Sequence, residues 1–120
     1  MTLTTAAIGL GSNLGESRAL LEGALEALDG AEGVRLTAIS PWYRTAPVGP
    51  PQPDYLNGCA LLEVSLPPEA LLELLQETEQ RYGRVRQERW GPRTLDLDLI
   101  FYGQLRLRGT RLDLPHPRLR

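Results

Sequence analysis

The hydrophobic positions of the chain repeat with two different periods, and the switches between them mark out its elements. Thr5-Ala6-Ala7-Ile8-Gly9-Leu10 is a short apolar run that reads as a first strand, followed by the turn-rich Gly11-Ser12-Asn13-Leu14-Gly15. Leu20, Leu21, Ala24, Leu25 and Leu28 then form the stripe of an amphipathic helix. Asp29-Gly30 ends that helix, the glycine being suited to a left-handed cap. Val34 to Tyr43 mixes β-branched and aromatic residues and predicts a second strand. A proline-loaded segment over 47–53 separates it from a third strand, Tyr55–Val64, expected to pair with the second. Pro67-Pro68-Glu69 opens a second helix, since proline is tolerated in a first turn and glutamate suits its positive end. Leu71, Leu72, Leu74 and Leu75 give that helix its buried face, and Gly83 closes it. Thr94 to Tyr102 reads as a fourth strand, and Gly103 to Leu114 as a short return hairpin or edge.

The order β-α-β-β-α-β predicts an α+β protein of the ferredoxin-like, split βαβ kind, with an antiparallel sheet and both helices on one face. At 120 residues, with no repeat, low-complexity tract or linker, a single domain over 1–120 is expected. A hydrophobic share of 42% supports a core without disulfide or structural metal. The formal net charge of -2 supplies no general attraction to nucleic acid or an acidic membrane surface, so partners must be argued from local charge. No apolar stretch approaches the ~20 residues of a membrane span, and Met1-Thr2-Leu3-Thr4-Thr5 lacks the basic start and long apolar run of a signal peptide. Cys59, the single cysteine, lies in an apolar run and reads as a small buried side chain. It has no partner for an internal disulfide, which fits a reducing compartment. A soluble cytoplasmic protein is expected, with a monomer favoured.

Two charged segments change this picture. In Thr94-Leu95-Asp96-Leu97-Asp98-Leu99-Ile100 the leucines share one face of a strand and the aspartates the other. The aspartate Cα atoms then stand roughly 6.6 Å apart. Two like charges on a strand repel, and aspartate is a poor strand former. A solvated polar face is the bland explanation. A hard divalent cation is the chemical one, because Mg2+ takes one or two carboxylates together with substrate phosphates. Directly upstream lies Gly83-Arg84-Val85-Arg86-Gln87-Glu88-Arg89-Trp90-Gly91-Pro92-Arg93. All 13 basic residues of the chain are arginine, and five of them fall between Arg81 and Arg93. Guanidinium forks bind phosphate oxygens two at a time. Metal ligands beside fixed positive donors are what a phosphoryl-transfer site requires.

With those residues in place, the chain resembles the 6-hydroxymethyl-7,8-dihydropterin pyrophosphokinase family over nearly its whole length. The resemblance rests on Gly11-Ser12-Asn13-Leu14-Gly15, Tyr43-Arg44-Thr45, Gln52-Pro53-Asp54-Tyr55-Leu56-Asn57 and Arg89-Trp90-Gly91-Pro92-Arg93-Thr94-Leu95-Asp96-Leu97-Asp98. It implies an ATP-dependent diphosphotransferase of folate biosynthesis that passes a diphosphate to the pterin hydroxymethyl group and releases AMP. It also implies two Mg2+ ions held by Asp96 and Asp98, with catalytic roles for Arg84, Arg93, Asp96 and Asp98. ATP contacts are implied for Gln76, Glu79, Arg84, Arg86, Arg93 and His116. A pterin pocket is implied for Thr45, Ala46, Val48, Tyr55, Asn57 and Trp90. The chain departs from the family pattern at Ala46, where proline is usual, and in loops that look one residue shorter. The pattern also continues beyond Pro115-His116-Pro117-Arg118, so a C-terminally truncated domain is expected.

Other classes are weaker. Gly9-Leu10-Gly11-Ser12-Asn13-Leu14 approximates a dinucleotide-binding glycine pattern, but Leu14 replaces its last glycine and adjacent β-β pairing does not suit a doubly wound sheet. A ferredoxin-like nucleotide- or RNA-binding module without catalysis is the main alternative. RNA recognition calls for stacking aromatics and a basic face, whereas here Phe101 and Tyr102 sit together at a strand end and Asp96 and Asp98 repel a phosphate backbone. A small-molecule regulatory domain of the same fold would not need the aspartate pair and the arginines together.

Overall fold

The central strand is built from alternation. In β1 (Thr4–Ser12), Ala6, Ile8 and Leu10 are buried on one face while Gly9 lies on the other. β1 pairs antiparallel on one side with β4 (Tyr55–Val64) and on the other with β5 (Asp96–Tyr102). β2 (Val34–Ile39) and the short β3 (Tyr43–Thr45) both pair antiparallel with β4. The strand order is therefore β2-β4-β1-β5, the expected split βαβ arrangement. The computed structural model describes residues 3–13, 17–46, 54–82 and 95–105 together with Leu114.

Both helices cover the same face of the sheet. α1 (Ser17–Asp29) buries Leu21, Ala24, Leu25 and Leu28, and α2 (Pro68–Tyr82) buries Leu71 and Leu75. These meet Ala6, Ile8 and Leu10 of β1, Ala60, Leu62 and Val64 of β4, and Leu97 and Leu99 of β5 in one core. Each fully buried leucine contributes about 1.5–3 kcal/mol through area removed from water. Leu72 and Leu74 flank the core half-buried. No helix among the described residues is long and apolar enough to cross a membrane.

Several expected boundaries shift, for physical reasons. The second strand is broken at 40–42, giving β2 and β3, because Pro41 has no N–H for a ladder. Ser40 substitutes for part of the lost pairing: its N–H donates to the Cys59 carbonyl at 2.9 Å, and its Oγ accepts from Cys59 N–H at 2.9 Å. Gly11 and Ser12 are strand, not turn, since neighbouring strands hold them: Gly11 pairs with both Asn57 and Asp96, and Ser12 with Leu56. Gly30 does not adopt the left-handed cap. The helix ends through Ala31 N–H donating to the Leu28 carbonyl at 3.1 Å, and the left-handed residue falls at Gly33, with φ 84°. β5 carries a bulge, pairing Ala7 with Phe101 but Ile8 with Leu99, so that Tyr102 rather than Phe101 turns toward the core. There its hydroxyl donates to the Leu66 carbonyl. Of the expected return hairpin, Leu114 is buried in an isolated bridge, and 106–113 lie outside the described residues.

Candidate active site

On the sheet face away from the helices, the register aligns two rows across three strands. One is Asn57–Gly11–Asp96 and the other Cys59–Gly9–Asp98. Glycine occupies the middle of each row, so the central strand offers backbone without side chains. The flanking strands rise as walls about 10 Å apart, twice the ordinary strand spacing. The result is an open cleft of about 390 Å³ whose lining includes Asp96, Asp98 and Ile100 on one side and Tyr55, Asn57 and Cys59 on the other, with Tyr43 from β3. That volume suits a small molecule.

The two walls differ in chemistry. Asp96 is half-buried and Asp98 exposed, while Leu97 between them is buried against the helices. Among the described residues no cluster of three or more His, Cys, Asp or Glu comes together. A pair of carboxylates nevertheless fits Mg2+, whose remaining positions are filled by water and substrate phosphate oxygens. On the opposite wall the Asn57 amide is oriented from behind: its Nδ2 donates to Thr45 Oγ1 at 2.8 Å, leaving Oδ1 as an acceptor above Gly11. A Cβ at Gly11 would stand 2.9 Å from that oxygen, so the glycine is what gives the amide its room.

The residues expected from the sequence are distributed as follows. Asp96, Asp98, Tyr55 and Asn57 line the cleft, and Thr45 reaches it through Asn57. Ala46 is exposed just after β3 and is not among the lining residues. Gln76 and Glu79 lie on α2 outside the cleft lining, Gln76 exposed and Glu79 half-buried with Oε2 accepting from Leu97 N–H at 2.7 Å. Val48, Arg84, Arg86, Trp90, Arg93 and His116 lie outside the described residues. Cys59 is half-buried and faces the cleft, not the core, because it shares the parity of Tyr55 and Asn57 on β4. Sequence reading also missed Gly9, Gly11, Tyr43 and Ile100 as lining residues. For Gly9 and Gly11 the available signal was their spacing of two in a strand, which places both on one face.

Fold and cleft together define a ferredoxin-like α+β protein with an open cleft on its sheet, acidic along one wall and amide-and-aromatic along the other. The chain belongs to the 7,8-dihydro-6-hydroxymethylpterin-pyrophosphokinase (HPPK) family, whose model matches residues 7–120. It is 52% identical over 114 residues to a 2-amino-4-hydroxy-6-hydroxymethyldihydropteridine pyrophosphokinase of Synechocystis sp., covering 95% of this chain and 58% of that protein. Proteins of the same name from Pseudomonas aeruginosa and Pseudomonas putida are each 47% identical, over 110 and 109 residues. Each of these alignments covers 91% of this chain, with 68% of the first protein and 91% of the second.

Proposed function

We propose that this chain carries the diphosphate-transfer site of its family, taking ATP and 6-hydroxymethyl-7,8-dihydropterin to AMP and the pterin diphosphate. The observation that carries this reading is the register itself, which sets Asp96 and Asp98 across a glycine floor from Asn57 and Tyr55. A flat heterocycle can lie against the backbone at Gly9 and Gly11, with an N–H edge toward Asn57 Oδ1 and a ring face toward Tyr55. Its hydroxymethyl arm then points toward the acidic wall, where the triphosphate is met.

In this reading Asp96 and Asp98 would hold two Mg2+ ions, which when bound would supply charge neutralisation for the phosphates and a lowered pKa for the pterin hydroxyl. The pterin hydroxymethyl oxygen forms a bond to the β-phosphorus, the bond from that phosphorus to the α–β bridging oxygen breaks, and AMP departs with that oxygen. The hydroxyl proton passes to solvent. Arg84, Arg86 and Arg93, with His116, are assigned to the phosphates, and Trp90 and Val48 to closing the pterin pocket. Catalysis of this kind is mostly positioning and electrostatic stabilisation, so the reading requires no dedicated general base. The protein is assigned to the cytoplasm, acting as a monomer.

Phosphorus NMR of the purified chain with ATP, Mg2+ and the pterin tests this directly. Pterin-dependent AMP without ADP is the expected result, and ADP in its place would overturn the reaction class. Asp96→Ala and Asp98→Ala are each expected to abolish turnover while pterin affinity, measured by calorimetry, stays within about twofold. Near-normal turnover in both variants would refute the metal assignment.

A further inference from the structure

β5 is the edge of the described sheet, with β1 on one side only. In an antiparallel ladder, alternate residues turn their N–H and C=O away from the paired strand. At an edge those groups need other partners. Leu97 is such a residue, and its N–H donates to Glu79 Oε2 of α2 at 2.7 Å. A carboxylate acceptor makes this one of the stronger backbone contacts available to an edge strand. Leu97 is also the residue between the two aspartates, and its side chain is buried against the helices.

We infer that Glu79 is a positioning residue for the aspartate pair, clipping the backbone of β5 to α2 so that Asp96 and Asp98 are held toward the cleft. The inference rests on the metal-binding reading of those aspartates given above. It assigns Glu79 a different task from direct contact with the nucleotide. One carboxylate oxygen is committed to the strand, and α2 is itself fixed by Leu71 and Leu75, both fully buried. The rigid reference is thus the helical core, and the glutamate transmits it to the strand. Small shifts of the pair matter, because metal sites demand ligand positions good to a few tenths of an ångström. What the clip requires of residue 79 is an acceptor of the right reach. The carboxylate charge strengthens that contact, and a neutral acceptor of the same reach keeps it in weaker form.

Glu79→Gln keeps an acceptor oxygen at the same reach, and Glu79→Ala removes it. The test compares both variants with the unmodified chain in two measurements. The first is amide hydrogen exchange of Leu97 by NMR, with neither metal nor nucleotide present. Protection of this amide is expected to fall at least about tenfold in Glu79→Ala, the loss of one hydrogen bond to a charged acceptor, and to be partly restored in Glu79→Gln, whose neutral oxygen makes the weaker bond. The amides of β1 and β4 serve as the internal reference for global stability. The second is calorimetric binding of Mg2+ with α,β-methylene ATP, expected to weaken roughly three- to tenfold in the alanine variant and to recover with glutamine.

Leu97 remaining protected in Glu79→Ala would overturn the clip. Loss of protection without any loss of Mg-nucleotide affinity would overturn the positioning role. Glutamine behaving as badly as alanine toward Mg-nucleotide, with Leu97 still protected, would return Glu79 to a direct charged contact. The exchange measurement needs no substrate, so its outcome stands apart from whether the chain forms AMP.

Discussion

The contact between Gly58 and Trp42 gives the sharpest test of how the cleft is built. Gly58 lies in β4 next to Asn57, on the helix-facing side, and the Trp42 ring lies directly against it. A Cβ at Gly58 would stand 2.5 Å from Trp42 Cε3 and 2.6 Å from Cζ3. Carbon atoms pack at about 3.5–4.0 Å, so in Gly58→Ala the indole must retreat by about 1 Å. Overpacking of this kind costs about 1–3 kcal/mol. For a domain of this size that lowers Tm by about 4–12 °C. Trp42 sits in the break between β2 and β3, beside Ser40, which is bonded twice to Cys59 at 2.9 Å. Retreat of the ring therefore also pulls on the segment that delivers Tyr43 and Thr45, and pterin affinity should weaken with stability. Trp42→Phe removes the fused ring and makes room. Thermal melts of the two single variants and the double variant form a cycle. Phenylalanine at 42 is expected to recover about 1–2 kcal/mol of the alanine cost, a coupling typical of residues in contact. Unchanged Tm in Gly58→Ala, or costs that simply add in the double variant, would refute the argument that glycine is there to seat the ring.

Two further perturbations separate the cleft floor from the core. In Gly11→Ala the new Cβ, 2.9 Å from Asn57 Oδ1, displaces an amide tied to Thr45. Loss of that orientation, worth about 0.5–1.5 kcal/mol, should raise KM for the pterin roughly three- to tenfold while KM for ATP holds; equal effects on both substrates would count against it. Leu75→Ala empties a fully buried site between α2 and the sheet. Denaturant unfolding should show a loss of about 2–5 kcal/mol, with the half-buried Leu72→Ala costing less; the reverse ranking would mean that α2 docks by a different face.

What the sequence made legible follows the strength of each local pattern. The strict alternation of leucine and aspartate in β5 carries both its core face and its acidic face, and the structure preserves that division. The helix stripes were equally plain, because a wrong face would expose several leucines at once. The break at 40–42 was obscured by Trp42 and Tyr43, whose strand-forming character hid what Pro41 imposes on the ladder. Gly11 and Ser12 are turn formers in isolation, and only pairing with the neighbouring strands, β4 for both and β5 for Gly11, makes them strand. The bulge in β5 depends on its match to β1, which no local pattern encodes.

The site divides along the same line. Asp96, Asp98, Tyr55 and Asn57 bear chemistry and announce themselves by type, whereas Gly9 and Gly11 act by having no side chain. Their contribution exists only because β1 runs between β4 and β5, an order set by long-range pairing. That same order brings a polar wall from the middle of the chain opposite an acidic wall near its end. A cleft on this sheet is therefore a property of topology before it is a property of motifs. Strands with the same chemical residues but a bulky side chain at the centre of each row would have a flat, filled surface, with the aspartates and the asparagine separated by side chains instead of by a ligand. By this reasoning the glycine spacing in β1 decides whether the two walls can share one bound molecule, and the residues on the walls decide which molecule it is.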